Sequence, residues 1–319
     1  MSEHVPVLVD RVVALFAPPL QDEGSVLVDA TIGLGGHTEA VLTRCPHAHV
    51  IGVDRDSRAL ERSRERLRPF AGRVTLVHAV YDEIGRVLGE LGHRYVDGVL
   101  FDLGVSSMQL DIRERGFAYA QDAPLDMRMN EDDRLTAADV LNTYSAPELA
   151  RILRSNGDER FARRIADSIV REREDAPFQN SARLVDLIRD TIPAPARRRG
   201  GHPAKRTFQA LRIEVNDELA VLRRSLPQAI AAIGVRGRVL AMSYHSLEDR
   251  LVKAAFAAQT RSDLPPDLPV VPEGHEPRLR LVTRGAEKAS ADEVSANPRA
   301  ASVRLRAVER VHPGTGAAA

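Results

Sequence analysis

Three aspartates close three apolar runs: Asp29 ends "VLVD", Asp54 ends "HVIGVD" and Asp102 ends "VDGVLFD". Three glycines within four positions, Gly33, Gly35 and Gly36, separate the first run from a helical pattern. A carboxylate at a strand end accepts from ribose hydroxyls or amines and attracts cations. A glycine turn that opens a helix offers backbone N–H groups at close range. Three ligands compete for such a turn. A triphosphate loop needs G-x-x-x-x-G-K-[ST], but His37 and Thr38 follow Gly36. The dinucleotide fingerprint G-x-G-x-x-G is met at Gly33 and Gly35 and fails at Thr38. A nucleoside without phosphates needs only close backbone approach and an acid for its ribose, and Asp54 stands 18 residues past Gly36. Asp29 favours the third ligand, because an anion repels a pyrophosphate and welcomes a cation. S-adenosylmethionine, with a sulfonium, an ammonium and no phosphate, is the cofactor expected. The plainer alternative is a tight turn that holds nothing; three carboxylates at successive strand ends weigh against it.

The elements that position these residues alternate. Short β-branched runs at 25–30, 49–54, 73–79 and 96–104 are separated by helical segments at 38–44, 57–67 and 84–91, the pattern of a parallel sheet with right-handed crossovers. Residues 110–226 then carry no convincing strand. Ser145 stands three before Glu148, a capping-box signature. Phe161, Ala162, Ile165, Ala166 and Ile169 form one helical stripe, and Ser181 opens a further helix that Pro193 and Pro195 close. Phe208, Leu211, Val215, Leu219, Leu222 and Leu226 share a single stripe ending at Pro227. Strand texture returns at 238–249, followed by the helix "RLVKAAFAAQ", a proline-rich loop and two more strands at 278–284 and 302–311. The expected architecture is α/β, a Rossmann-like sheet over 1–109 and 213–319 interrupted by an all-helical domain over 110–212.

Composition narrows the class without naming it. The chain has 319 residues, 43% hydrophobic and 28% charged, the proportions of a globular protein. Lysine plus arginine equals aspartate plus glutamate at 45 each, so an anionic partner must be met by a local patch. The lone cysteine, Cys45, excludes a disulfide framework and fits a reducing compartment. With no basic start before the first apolar stretch and no run long enough to span a membrane, a cytoplasmic protein is expected.

Longer matches are more specific than any glycine pattern. "HVPVLVD" (4–10), "DATIGLGGHT" (29–38), "GVDRD" (52–56), "DGVLFDLGVSSMQLD" (97–111), "RGFAY" (115–119), "PLDMRM" (124–129), "GDERFARRIA" (157–166), "HPAKRTFQALRIEVNDEL" (202–219) and "SYHSLEDRLVK" (243–253) run nearly the whole chain. By these the sequence resembles the ribosomal RNA small-subunit methyltransferase H family, cytidine N4-methyltransferases of the decoding region of bacterial 16S ribosomal RNA. The resemblance implies a class I methyltransferase sheet with an inserted substrate-recognition domain. It implies S-adenosylmethionine contacts at Gly35, Gly36, His37, Asp54, Tyr81, Asp102 and Gln109, and a role in rRNA processing and ribosome biogenesis. Tyr81 and Tyr244 stand where this family often has phenylalanine, and Lys205 also departs from its usual pattern.

Methyl transfer to an exocyclic amine is an in-line displacement in which positioning and electrostatics do the work. The amine is a weak nucleophile until acceptors for its N–H groups favour a pyramidal nitrogen. After the fourth strand this chain has "DLGVSS" rather than the [DNS]-P-P-[YFW] of many amino-group methyltransferases. Two readings stay open: Asp102, or the carbonyl of Leu103, orients the amine with Ser106 and Ser107 adjacent, or Asp102 serves only the cofactor. At "SYHSLEDR", His245 takes the released proton or contacts a phosphate and Tyr244 stacks on the target base. Alternatively Ser246 and Asp249 cap the next helix and His245 is satisfied internally. "ARRRGGHPAKR" (196–206), with Arg197, Arg198, Arg199, Lys205 and Arg206, is the candidate RNA contact, against the reading of a solvated loop. Arg160, Arg163 and Arg164 extend it or clothe an exposed helix face. Met127 and Met129 read as core. No metal is indicated, and the apolar helical insertion offers a face for a homodimer. The rivals are an NAD-linked oxidoreductase, disfavoured by Thr38 and Asp29, and a non-catalytic RNA-binding or ribosome-assembly factor.

Overall fold

The computed structural model describes residues 6–106, 109, 112–197, 202–261 and 276–313. They fall into two compact units, one of Met1–Gly104 with Ala220–Ala319 and one of Val105–Leu219. The division falls at Gly104/Val105 and Leu219/Ala220 rather than at the expected 109/110 and 212/213, and Val105 and Val215 both pack with the helical core.

The first unit is built on seven strands: β1 (Val26–Asp29), β2 (His49–Asp54), β3 (Val74–His78), β4 (Val96–Asp102), β5 (Ile233–Ser243), β6 (Leu279–Leu281) and β7 (Arg304–Arg310). Their order is β3-β2-β1-β4-β5-β7-β6, parallel through β5, with β7 antiparallel to both its neighbours. Successive strand residues point to opposite faces, and both faces are covered. Val28, Ile51, Val99, Phe101 and Val239 enter one core, while Leu27, Val50, Leu100 and Leu240 enter the other. That double burial is why β1 reads as an unbroken apolar run. The helices α1 (Val9–Phe16), α2 (Gly36–Arg44), α3 (Ser57–Arg66) and α4 (Ile84–Glu90) belong to this unit. The chain leaves β1 toward β2 on one side and meets β4 on the other, so the switch point where such sheets open a crevice lies at the carboxyl ends of β1 and β4.

The helical unit holds α5 (Ala137–Thr143), α6 (Ala146–Gly157), α7 (Ala162–Asp175), α8 (Ser181–Thr191), α9 (Ala194–Arg197) and α10 (Lys205–Asn216). Glu148 accepts from the backbone N–H and hydroxyl of Ser145 at the start of α6, as the spacing predicts. Ala162, Ile165, Ala166 and Ile169 of α7 are buried together. Among the described residues, the exposed large hydrophobic side chains are Leu91, Tyr95, Val235 and Leu281, all in the first unit. The stripes of the insertion are, among the described residues, spent on its own core.

The single stripe expected from Phe208 to Leu226 is two helices. Asp217 adopts a left-handed conformation, φ 50°, between α10 and α11 (Glu218–Ala232), a conformation a short polar side chain tolerates. Pro227 does not end α11, because Ala229, Ile230 and Ile233 beyond it are drawn into the sheet core. The first unit closes with α12 (Ser246–Gln259) and α13 (Ala291–Ala296).

Candidate functional site

Two left-handed glycines shape the turn after β1. Gly33 has φ +52° and Gly35 φ +75° as the residue before α2. A Cβ on Gly35 would stand 3.1 Å from Leu67 Cδ1, and one on Gly36 would collide with Pro6, so both are fixed by packing. Gly33 differs: a Cβ there would meet only Thr31 O at 3.8 Å. The turn therefore keeps open room above Gly33, the room that close approach of a ligand requires.

The three strand-end carboxylates play different parts. Asp29, 2% exposed, lies beneath the turn, where its Oδ2 accepts from the Thr38 hydroxyl at 2.7 Å and its Oδ1 from the Thr31 N–H at 3.3 Å. Burial pushes its pKa up, and the Thr38 hydroxyl and His37 offset part of that. Asp54 is half-buried at the end of β2, accepting from Gly33 N–H at 2.8 Å and Asp56 N–H at 2.9 Å. Desolvation carries its pKa to about 6 against those two hydrogen bonds. Asp54 thus orders the glycine turn while standing at the strand end where a ribose is held.

Asp102 keeps 27% of its side chain exposed, and contacts from three elements converge on it. Its backbone N–H donates to Thr31 Oγ1 at 2.7 Å, so Thr31 ties the ends of β1 and β4 together. Its Oδ1 accepts from the Tyr244 hydroxyl at 2.7 Å. Its Oδ2 lies 3.5 Å from His37 Nδ1, and His37 Nε2–H donates to Val7 O at 2.8 Å. Burial, then the Asp102 charge, hold the Tyr244 phenol well above its ordinary pKa, so it stays a donor. Tyr81, in the turn after β3, packs edge-on against Phe101 at 5.7 Å between ring centres.

At the end of β5 the structure gives "SYHSLEDR" a structural part. His245, rather than Ser246 or Asp249, is the N-cap of α12: its Nδ1 accepts from Glu248 N–H at 3.4 Å, and its Nε2 lies 3.2 Å from Glu248 Oε1. Asp249 is held instead by Arg304 and Arg306 of β7.

In the helical unit, Ser106 and Gln109 bond reciprocally, Ser106 N–H to Gln109 Oε1 at 3.0 Å and Gln109 N–H to Ser106 Oγ at 3.2 Å. Ser107, Arg198 and Arg199 lie outside the described residues, and Arg197 ends α9. Lys205 is exposed at the start of α10, but Arg206 donates to the Asp158 carbonyl at the end of α6. Met127 and Met129 are buried. Sequence reasoning missed what fixes them. Asn216 accepts from Met129 N–H at 2.7 Å and donates to Met127 O at 2.8 Å, and Arg115 donates to Arg128 O and Met129 O. Thr31, Thr38 and the Tyr244–Asp102 pair were missed as well. Thr38 was the visible signal, a polar residue where a dinucleotide fingerprint has glycine.

Strands in this order, with a glycine turn and acids gathered at the carboxyl edge around the switch point, define a class I methyltransferase fold. The model of the MraW methylase family matches residues 1–311, and the chain belongs to that family. A protein of Nocardioides sp. named ribosomal RNA small subunit methyltransferase H is 70% identical over 314 residues, 98% of each chain. Proteins of the same name from Frankia casuarinae and Streptomyces avermitilis are 64% and 60% identical over 96% and 97% of this chain and 96% and 98% of theirs. Among solved structures, an rRNA methylase from Streptococcus thermophilus covers 97% of this chain and 100% of its own, at 10% identity and a TM-score of 0.46.

Proposed function

We propose that this chain transfers the methyl group of S-adenosylmethionine to the N4 amine of a cytidine in the decoding region of 16S ribosomal RNA. The observation that carries the reading is the open glycine turn at Gly33 ringed by Asp29, Asp54 and Asp102. Neutral hydroxyl and N–H donors hold Asp29 and Asp54. Such a site suits a cationic nucleoside and repels a pyrophosphate, which sets aside the NAD-linked rival. Membership of a methylase family and the names of the relatives support the reaction and the rRNA; the base and its N4 position rest on the resemblance of the sequence motifs.

S-adenosylmethionine supplies an electrophilic methyl group. The chain supplies place and charge. Asp54 would accept from the ribose hydroxyls, Gly33 would let the nucleoside approach, and buried Asp29 would keep the floor of the turn negative for a cationic ligand. Gly35, Gly36 and His37 shape the wall, and Tyr81 supplies an aromatic edge. Asp102 accepts from the target amine, which favours the pyramidal nitrogen whose lone pair attacks. His245 is committed to capping α12, so the released proton goes to water rather than to its ring. Arg197, Arg198, Arg199 and Lys205 contribute cations for RNA phosphates, with Gln109 and Ser106 braced together in the helical unit.

The test is labelled methyl transfer to small ribosomal subunits and to naked 16S rRNA lacking the modification, with the product digested to nucleosides. N4-methylcytidine in wild type is expected, and Asp102→Asn should cost turnover with cofactor affinity kept. Label at another atom, or on neither substrate despite cofactor binding, would overturn the assignment.

A further inference from the structure

His202 is the one histidine of the cationic stretch 196–206, and neither the cofactor turn nor the methyl transfer uses it. Its ring stacks on Tyr119, with 4.5 Å between ring centres and 20° between planes. Tyr119 in turn packs edge-on against Phe208 at 5.7 Å. Phe208 is 3% exposed, Tyr119 half-buried and His202 exposed. Three rings of the helical unit thus climb from its core to its surface. The outermost has one face covered by Tyr119, so its exposure lies on the other face and the edge. His202 Nδ1 accepts from Ala204 N–H at 3.3 Å, and stack and hydrogen bond together fix how the ring is turned. Tyr244, the aromatic expected to stack on a base, has its ring against Gly104 and its hydroxyl on Asp102 instead. We propose that His202, backed by Tyr119, is a stacking platform for an unpaired base of the RNA strand. This deepens the rRNA reading given above and rests on it.

A surface ring already held by a second ring needs little further ordering when a ligand lands on it. Every base has a π face, and histidine and tyrosine rings are among those on which unstacked RNA bases lie. A duplex hides its base faces, so the occupant is single-stranded. Extruding a target base also strips a stacking partner from the base beside it, and a ring on the protein replaces that partner. The surroundings suit the rest of the strand. Lys205, three residues on, is exposed at the start of α10, and the stretch 196–206 holds no acid. Cations for the flanking phosphates therefore stand beside the platform.

The chain has no tryptophan, so His202→Trp places a sole indole reporter on Tyr119. Its fluorescence should be quenched on titration with a short single-stranded oligocytidine and left unchanged by the same strand without its bases. His202→Ala should bind oligocytidine roughly five- to a hundredfold more weakly, the cost of deleting one stacked contact. His202→Phe keeps the ring face and drops the nitrogens, and should stay within about threefold of wild type. Lys205→Ala separates charge from stacking. It should reduce the slope of log affinity against log salt by about 0.7, the value for one phosphate contact on a single strand, whereas His202→Ala should leave that slope as it is. An unquenched indole, a His202→Phe as weak as His202→Ala, or a salt slope that falls in His202→Ala would each overturn the proposal. No arm uses methyl transfer, so wild-type protein that makes no N4-methylcytidine would defeat the functional assignment while the role of His202 is still decided.

Discussion

Asp54 is the residue at which burial and ligand binding pull in opposite directions. Folding moves its pKa from 3.8 to about 6, with desolvation as the first cause. The protonated form is therefore favoured in the folded chain. The stability this contributes is fully present below the unfolded value and is lost as the pH rises through about 6. Cofactor binding has the other sign, because ribose hydroxyls donate to the ionised carboxylate. Affinity for S-adenosylmethionine should be level above about 6 and weaken toward tenfold per pH unit below it. Asp54→Asn should bind more weakly at pH 8 and lose the acid dependence. Calorimetric titration at several pH values checks this, and an acid limb that survives in Asp54→Asn would place the titrating group elsewhere. At this scale the sequence was legible where residue type and strand end coincide, as at Asp29, Asp54 and Asp102. It was not legible where partners are far apart in the chain. Tyr244 meets Asp102 across 142 residues, and no local pattern indicates that a hydroxyl will land on a given oxygen. His245 was left between a proton acceptor and a residue satisfied internally, because its place as N-cap depends on where α12 begins, a boundary the sequence leaves open by a residue or two.

Elements were legible wherever one period ran without competition. The first four strands and the helices between them obey the alternation of apolar runs and turns. The readings that failed were those in which tertiary contacts overrule local preference: the helix break at Asp217 and the passage of α11 through Pro227. Beside the break stands Asn216, 1% exposed, whose amide binds the turn at Met127, where φ is +63°. A left-handed, fully buried methionine is costly for the backbone, so this side chain is the clamp that keeps the segment in place. Asn216→Ala strands a buried N–H at Met129 and a carbonyl at Met127. At the usual penalty for unsatisfied buried groups, it should lower stability by about 2–4 kcal/mol. Urea unfolding measures this. A loss within about 0.5 kcal/mol, the range of an ordinary surface substitution, would show that the turn holds without its clamp.

Over the whole molecule, each unit closes its own core. One hydrophobic cluster lies wholly within Val105–Leu219, and the other two lie within the sheet unit on its opposite faces. Every residue assigned to the cofactor, apart from Gln109, belongs to the sheet unit. A ligand that binds one cooperative unit stabilises that unit by its binding free energy, about 2.7 kcal/mol at a hundredfold its Kd. A unit that contributes one contact of many is raised far less. Scanning calorimetry should therefore resolve two transitions, one raised strongly by S-adenosylmethionine and the other, through Gln109, only slightly. Asn216→Ala should lower only the second, since its hydrogen bonds to Met127, Met129 and Arg212 lie within the helical unit. The two perturbations assign the transitions without cutting the chain. If both transitions rise equally with cofactor, or Asn216→Ala lowers the one that cofactor raises strongly, the units unfold as a single cooperative body, and the cores are energetically joined despite being separate clusters.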